Sequence, residues 1–162
     1  MMDIEPNILS WKEYLESDEN MGLCLSIEAS TWDHTQPAML LILRGLPGAG
    51  KSTFAKYLHK MYGFKIVEAD AFMMENGVYK FDPKKLGWAH NQCKEAVRQY
   101  LMEGENIVVS NTSTQRWEME PYIEMGTKAH YIVKEHVLRT NFGNIHGVPE
   151  EKVEIMRKRW ED

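Results

Sequence analysis

The octapeptide GLPGAGKS at positions 45–52 satisfies the spacing GxxxxGK[ST]. Glycines at 45, 48 and 50 let the backbone turn tightly enough for successive N–H groups to face inward, which makes a concavity suited to phosphate oxygens. Lys51 then reaches the β and γ phosphates of a nucleoside triphosphate, and the Ser52 hydroxyl is placed to ligate Mg²⁺. Gly45, Leu46, Pro47, Gly48, Ala49, Gly50, Lys51, Ser52 and Thr53 are therefore the expected ATP-binding residues. ATP and Mg²⁺ are the cofactors that this segment implies.

A phosphate cradle alone does not choose between a switch, a motor and a kinase. Downstream, FKIVE runs into Ala69 and Asp70, so Asp70 is expected at the carboxyl end of a strand beside the cradle, where open α/β sheets place their ligands. A carboxylate there can accept a proton from an attacking hydroxyl or help hold Mg²⁺ through water. Alternatively it caps a short helical stretch at 71–74. Arg116, Trp117 and Tyr122 can face an acceptor, since an arginine suits a phosphodiester and a ring can stack on a base. Trp117, Met119 and Tyr122 can equally form the apolar face of a helix packed on the sheet. Tyr79, Lys80 and Phe81 fall in a loop on the same side, available to an acceptor or to packing. His90 and Cys93, three apart on one helical face, lack a second pair of metal ligands and are expected in the core.

These residues need elements to hold them. AMLLILR (38–44) has the length and unbroken apolarity of a buried strand. A helix over 52–62 ends at Gly63, and FKIVE (64–68) is a second strand. Asp82 and Pro83 open a long helix whose apolar positions Leu86, Ala89, Cys93, Ala96, Val97 and Tyr100 repeat at three and four residues until Gly104. NIVVS (106–110) and HYIVKEHV (130–137) are further strands flanking a helix over 116–128. A last helix opens at Pro149, with Glu150 and Glu151 in its first turn and Arg157, Lys158 and Arg159 near its end. Alternation of this kind predicts a three-layer α/β/α fold with a mostly parallel sheet of roughly five strands.

With 162 residues, 43% of them apolar, and a net charge of −5, the chain suits one compact body, placed at 38–162. Residues 1–37 carry eight acidic side chains and one basic, which leaves the remainder at +2. They form an acidic extension packed on or flanking that body. Within it, 11–15 can make a turn or two of helix, and Leu23, Leu25 and Ile27 alternate as an edge strand does. The charge balance argues against tight nonspecific DNA binding, so a nucleic acid would be a transient substrate. Two cysteines outside any CxxC pair exclude a disulfide framework and a zinc knuckle, which suits a reducing cytosol. The longest apolar run is six residues, and Asp3 and Glu5 stand where a signal peptide would be basic, so a cytoplasmic protein is expected.

GLPGAGKST, EADAF, NGVYKFDPKKLGWAHNQC (76–93), NTSTQRWEMEPY (111–122) and NIHGVP (144–149) together resemble the polynucleotide-kinase-like branch of P-loop kinases, including small phage members. The likeness runs from about position 41 to the end. It implies a P-loop kinase that moves the γ-phosphate of ATP to a hydroxyl, in the host cytoplasm if the chain is phage-encoded. Asp70 matches the general base, Lys51 and Ser52 serve the nucleotide and the metal, Asp70 shares that metal, and a mobile lid spans 138–149. Arg116, Trp117 and Tyr79 would serve the substrate. Two positions depart from the family. Ser110 stands where it usually has Asp, and Gly143 where it commonly has Arg, leaving Arg139 as the nearest candidate to supply charge to the transferring phosphoryl group. The acceptor is then a 5′-hydroxyl of a polynucleotide or a nucleotide. Alternatives are the hydroxymethyl group of a modified pyrimidine such as hydroxymethyluracil in DNA hypermodification, and a free nucleoside or sugar. A protein of another class, a catalytically weak nucleotide-binding regulator with a partner on its acidic extension, is the remaining reading.

Overall fold

A computed structural model of the chain describes residues 8–139 and 148–162; most of the expected lid, including Gly143, Asn144 and His146, lies outside those residues. Strand β1 (Met39–Arg44) is buried along its whole length. That explains MLLILR: a strand covered on both faces has no polar alternation. It pairs in parallel with β5 (Ile107–Ser110) on one side and β6 (Ile132–Val137) on the other, while β2 (Lys65–Val67) lies outside β5. The sheet order is β2-β5-β1-β6, four strands among the described residues rather than the five expected. Parallel pairing brings all four carboxyl ends to one edge.

Alternate residues of β1 face two cores. Met39, Leu41 and Leu43 meet α3 (Lys51–Tyr62) through Phe54, Ala55 and Leu58. Leu40 and Ile42 meet α4 (Leu86–Glu103) through Ala89, Cys93 and Val97, and α5 (Arg116–Lys128) through Met119 and Tyr122. The His90 and Cys93 pair therefore belongs to a core helix, with the Cys93 side chain buried.

The described part of the acidic extension forms two helices. Helix α1 (Ile8–Glu16) buries Trp11 and Leu15, one turn apart, and α2 (Met21–Trp32) buries Cys24, Ile27 and Ser30 at three-residue steps. The expected edge strand at 23–27 is corrected: positions 24, 27 and 30 make a stripe only on a helix. Trp11 lies 4.9 Å from the Phe54 ring, and Tyr14 Oη and His136 Nε2 are 2.6 Å apart, so the extension is fastened to both α3 and β6.

After β2 comes a 3₁₀ turn (Ala69–Met73), then a two-stranded antiparallel hairpin of β3 (Met74–Glu75) and β4 (Val78–Tyr79). Asn76 and Gly77, with φ of 51° and 78°, supply the left-handed turn such a hairpin requires, and they replace the loop expected there. Asp82 accepts from Lys84 N at 3.0 Å and Pro83 opens the 3₁₀ turn (Pro83–Lys85) that leads into α4, as the sequence predicts. Helix α6 (Glu150–Lys158) follows Pro149. No helix among the described residues is long and apolar enough to cross a membrane.

Gly126 marks the closest approach of α5 to the sheet. A Cβ there would lie 2.7 Å from Val133 Cγ2 and 2.8 Å from Leu40 Cδ2. Gly126→Ala should therefore destabilise the fold by about 1–3 kcal/mol despite the better helix propensity of alanine, read as a lower midpoint in urea unfolding.

Candidate functional site

Strand β1 delivers the cradle directly from its carboxyl end. Gly45 N donates to Thr112 O at 3.4 Å, which ties the first glycine to the end of β5, and Ala49 N donates to Leu46 O at 3.1 Å. Gly48 and Gly50 adopt φ of 87° and 90°, backbone that side-chain-bearing residues rarely accept. The Lys51 ammonium donates to Gly45 O at 2.7 Å and Leu46 O at 3.2 Å. Burial pushes its pKa down to about 8, against the pull of Asp70 and Glu68. A depressed ammonium is primed for anions, because a phosphate replaces weak carbonyl partners with full negative charge.

Asp70 sits inside the 3₁₀ turn rather than before it, so the capping alternative does not describe it. Ala69 N donates to Asn111 Oδ1 at 2.9 Å, which pins the turn to the end of β5. The Tyr79 hydroxyl donates to Asp70 Oδ1 at 3.3 Å. Burial and the adjacent Asp70 push this phenol up to about 12, so it stays protonated and keeps donating. The structure thus brings Tyr79 to Asp70 as a partner of the carboxylate.

Glu68 is the residue that sequence reasoning passed over. It follows β2 directly, and its Oε2 accepts from Ser52 Oγ at 3.3 Å. Burial raises its pKa, opposed by the Ser52 hydrogen bond. The signal was present in EADAF, where two carboxylates flank one residue at a strand end. Ser110, at the family's aspartate position, is buried with its hydroxyl unpartnered among the described residues. It brings no charge; Glu68 does. Among the described residues no group of three or more His, Cys, Asp or Glu could hold a metal ion unaided. Ser52 with Glu68 and Asp70 nearby is a donor set that suits Mg²⁺ bound chiefly by phosphate oxygens and water.

Other expected residues lie elsewhere. The Arg116 guanidinium is bound by Glu135 of β6 through two hydrogen bonds of 2.6 and 2.8 Å, so it is no free cation for an acceptor. Trp117 is 65% exposed, which rules out its core reading, and its Nε1 donates to Gln115 Oε1. Met119 and Tyr122 are buried in the core. Arg139 Nη2 pairs with Asp162 Oδ1 at 3.0 Å on the surface. Beside Asp70, the Phe72 ring meets Trp88 edge-on at 5.9 Å, and Trp88 and Phe81 are exposed. Lys80 and Lys85 share one carboxylate, Glu75. The hairpin and the start of α4 thus form an aromatic and basic surface next to the carboxylate.

The family model described as an AAA domain matches residues 40–145. The chain belongs to this family. NEDD4-binding protein 2 of Homo sapiens is 36% identical over 141 residues, covering 76% of this chain and 8% of that protein. Among solved structures, a chain of the Pnkp1/Rnl/Hen1 complex superposes with a TM-score of 0.55 at 23% identity, covering 76% of this chain and 40% of that one. A gluconokinase from Sinorhizobium meliloti 1021 gives a TM-score of 0.51 at 18% identity, covering 78% of this chain and 76% of that one. This AAA domain has the P-loop kinase fold, and it spans less than half of the first two of these relatives.

The lysine supplies a direct check on the cradle. A polyphosphate should return Lys51 toward its ordinary 10.5, so binding near pH ~8.5 takes up protons, whereas at pH ~6.5 the lysine is already charged and takes up none. Calorimetry with ATP in buffers of different ionisation heat should show the uptake, and Lys51→Ala should abolish it.

Proposed function

We propose that this chain is an ATP- and Mg²⁺-dependent kinase that transfers the γ-phosphoryl group to a hydroxyl of a nucleic acid or nucleotide. The observation that carries the reading is Asp70, fixed by Asn111 and Tyr79 at the strand edge beside Lys51 and flanked by an exposed aromatic and basic surface. Exposed rings offer stacking to a base, and lysines in excess of their carboxylate partner suit phosphodiesters.

The residues divide the work as follows. The amides of the cradle and Lys51 would bind the triphosphate and neutralise charge on its β and γ oxygens. Ser52 would hold Mg²⁺, with Glu68 and Asp70 reaching it through water, and the ion would supply charge to the phosphate oxygens when bound. Asp70 takes the proton of the acceptor hydroxyl as that oxygen bonds to the γ phosphorus and the bond to the β-phosphate oxygen breaks, leaving ADP. Tyr79 donates to one oxygen of Asp70 and so orients the carboxylate that takes the proton. Glu68 also bears on the regulator reading, since it returns to the site a carboxylate that Ser110 withholds.

The deciding experiment is transfer from γ-labelled ATP to a 5′-hydroxyl oligonucleotide, to 5′-phosphorylated DNA containing hydroxymethylpyrimidine, and to free nucleosides. One acceptor should be labelled, and Asp70→Asn should reduce its labelling by about 10²–10⁴. An Asp70→Asn protein as active as the wild type would remove the proton acceptor from the mechanism, and ATP binding without label on any acceptor would favour the regulator. Glu68→Gln should raise the Mg²⁺ concentration needed for half-maximal transfer about tenfold, measured by titration with the nucleotide saturating.

A further inference from the structure

Arg44 is the last residue of β1 and immediately precedes the cradle, yet it is only 1% exposed. A guanidinium withdrawn from water needs partners for its five N–H groups. Nε donates to Ser113 O at 2.9 Å, and Nη2 donates to Thr114 O at 3.4 Å and to Glu161 O. The Trp160 ring covers the guanidinium, 4.5 Å from its carbon to the ring centroid. Ser113 holds φ at 47°, a left-handed backbone unusual for a serine, which fits a carbonyl set to meet a fixed donor. Two of these partners, Trp160 and Glu161, come from the residues that follow α6.

Residues 159–162 also reach Thr114, Arg116 and Arg139 around the cradle's root. Arg159 Nε donates to Thr114 Oγ1 at 3.1 Å, and Glu161 N donates to Thr114 O at 2.6 Å. Arg116 N, at the start of α5, donates to Glu161 Oε2 at 2.9 Å. Asp162 Oδ1 accepts from Arg139 at 3.0 Å and from Trp160 Nε1 at 3.1 Å. On the other side, Leu138 N donates to Arg44 O at 2.8 Å, and a Cβ on Gly45 would lie 3.0 Å from Leu138 O. Arg44 is therefore where the cradle, the exit of β6 and the tail of α6 are fastened together.

We propose that residues 159–162 are a positioning strap for the cradle, in which Trp160 stacked on Arg44 fixes the root of the phosphate-binding backbone and Asp162 holds Arg139 beside it. For its kinetic consequence the inference rests on the kinase reading; its mechanical consequence does not. A strap that sets the relation between the phosphate amides and the groups around them acts most on the geometry in which the phosphoryl group is in flight, so it lowers kcat more than it raises KM for ATP.

Trp160→Ala tests both. In the nucleotide-free protein, amide hydrogen exchange over residues 45–52 and 113–116 should quicken about tenfold, while Trp160→Phe, which restores a ring face, stays near wild type. In the transfer assay kcat should fall about tenfold with KM for ATP within about twofold. Unchanged exchange in a folded Trp160→Ala protein overturns the strap whether or not the wild type transfers phosphate. Faster exchange in the variant with no transfer by the wild type keeps the mechanical role and removes the kinase reading. If Trp160→Ala does not fold, Trp160→Leu, which keeps bulk without a ring face, takes its place under the same criteria.

Discussion

A strand buried on both faces has nowhere along its length for chemistry. β1 has no exposed residue, so everything polar that it positions must appear where it ends. Parallel pairing puts the ends of β2, β5 and β6 at the same edge, and four short peptides meet there: the cradle after β1, Glu68 to Asp70 after β2, Asn111 and Thr112 after β5, and Leu138 and Arg139 after β6. Asn111 and Thr112 link the first two of these. One side chain holds the Asp70 turn by Ala69 N, and the next residue's carbonyl holds Gly45. Their place after β5 is explained by these two hydrogen bonds, which set the distance between the two halves of the site.

The electrostatics of that edge follow from burial. Lys51 loses much of its preference for the charged form, and Glu68 loses some of its own, because water is excluded around both. Among the described residues, neither is neutralised by a tight ion pair. Lys51 bonds to carbonyls and Glu68 to a hydroxyl, partners that a bound anion or cation can displace at modest cost. Groups held this way are available to ligands, whereas Arg44, tied by carbonyls and an indole with the Glu135 carboxylate 4.0 Å away, is structural. Arg116 is occupied by Glu135 through two hydrogen bonds, whereas Lys80 and Lys85 share the single carboxylate of Glu75.

Local signals were legible in the sequence and long-range ones were not. Glycine spacing announced the cradle, Gly63 and Gly104 announced helix ends, and continuous apolarity announced β1. The extension was harder because LCLSI satisfies a two-residue and a three-to-four-residue period at once, and only the contacts of Cys24 and Ile27 with the core decide for the helix. Asn76-Gly77 is a hairpin signal in its own right, but the strands it joins are two residues each, too short to show alternation. Glu68 was marked only by its place in EADAF and Arg44 by nothing, because their partners Ser52 and Trp160 lie 16 and more than a hundred positions away.

The placement of the extension bears on how an acidic chain could meet the polyanionic acceptor proposed for it. Its helices lie against α3, on the face of the sheet that receives Met39, Leu41 and Leu43, whereas the hairpin, the 3₁₀ turn and α4 belong to the face that receives Leu40 and Ile42. The sheet stands between them. Exposed charges further apart than about 10 Å are largely screened at ordinary ionic strength, so the extension's negative field weakens before it reaches Lys80, Lys84 and Lys85. The net charge of −5 is therefore a poor guide to the potential that an incoming acceptor meets. On the proposed reading, an acceptor meets instead the mixed lysine and carboxylate surface around Trp88 and Phe81, where Lys80, Lys84 and Lys85 stand beside Glu75 and Asp82.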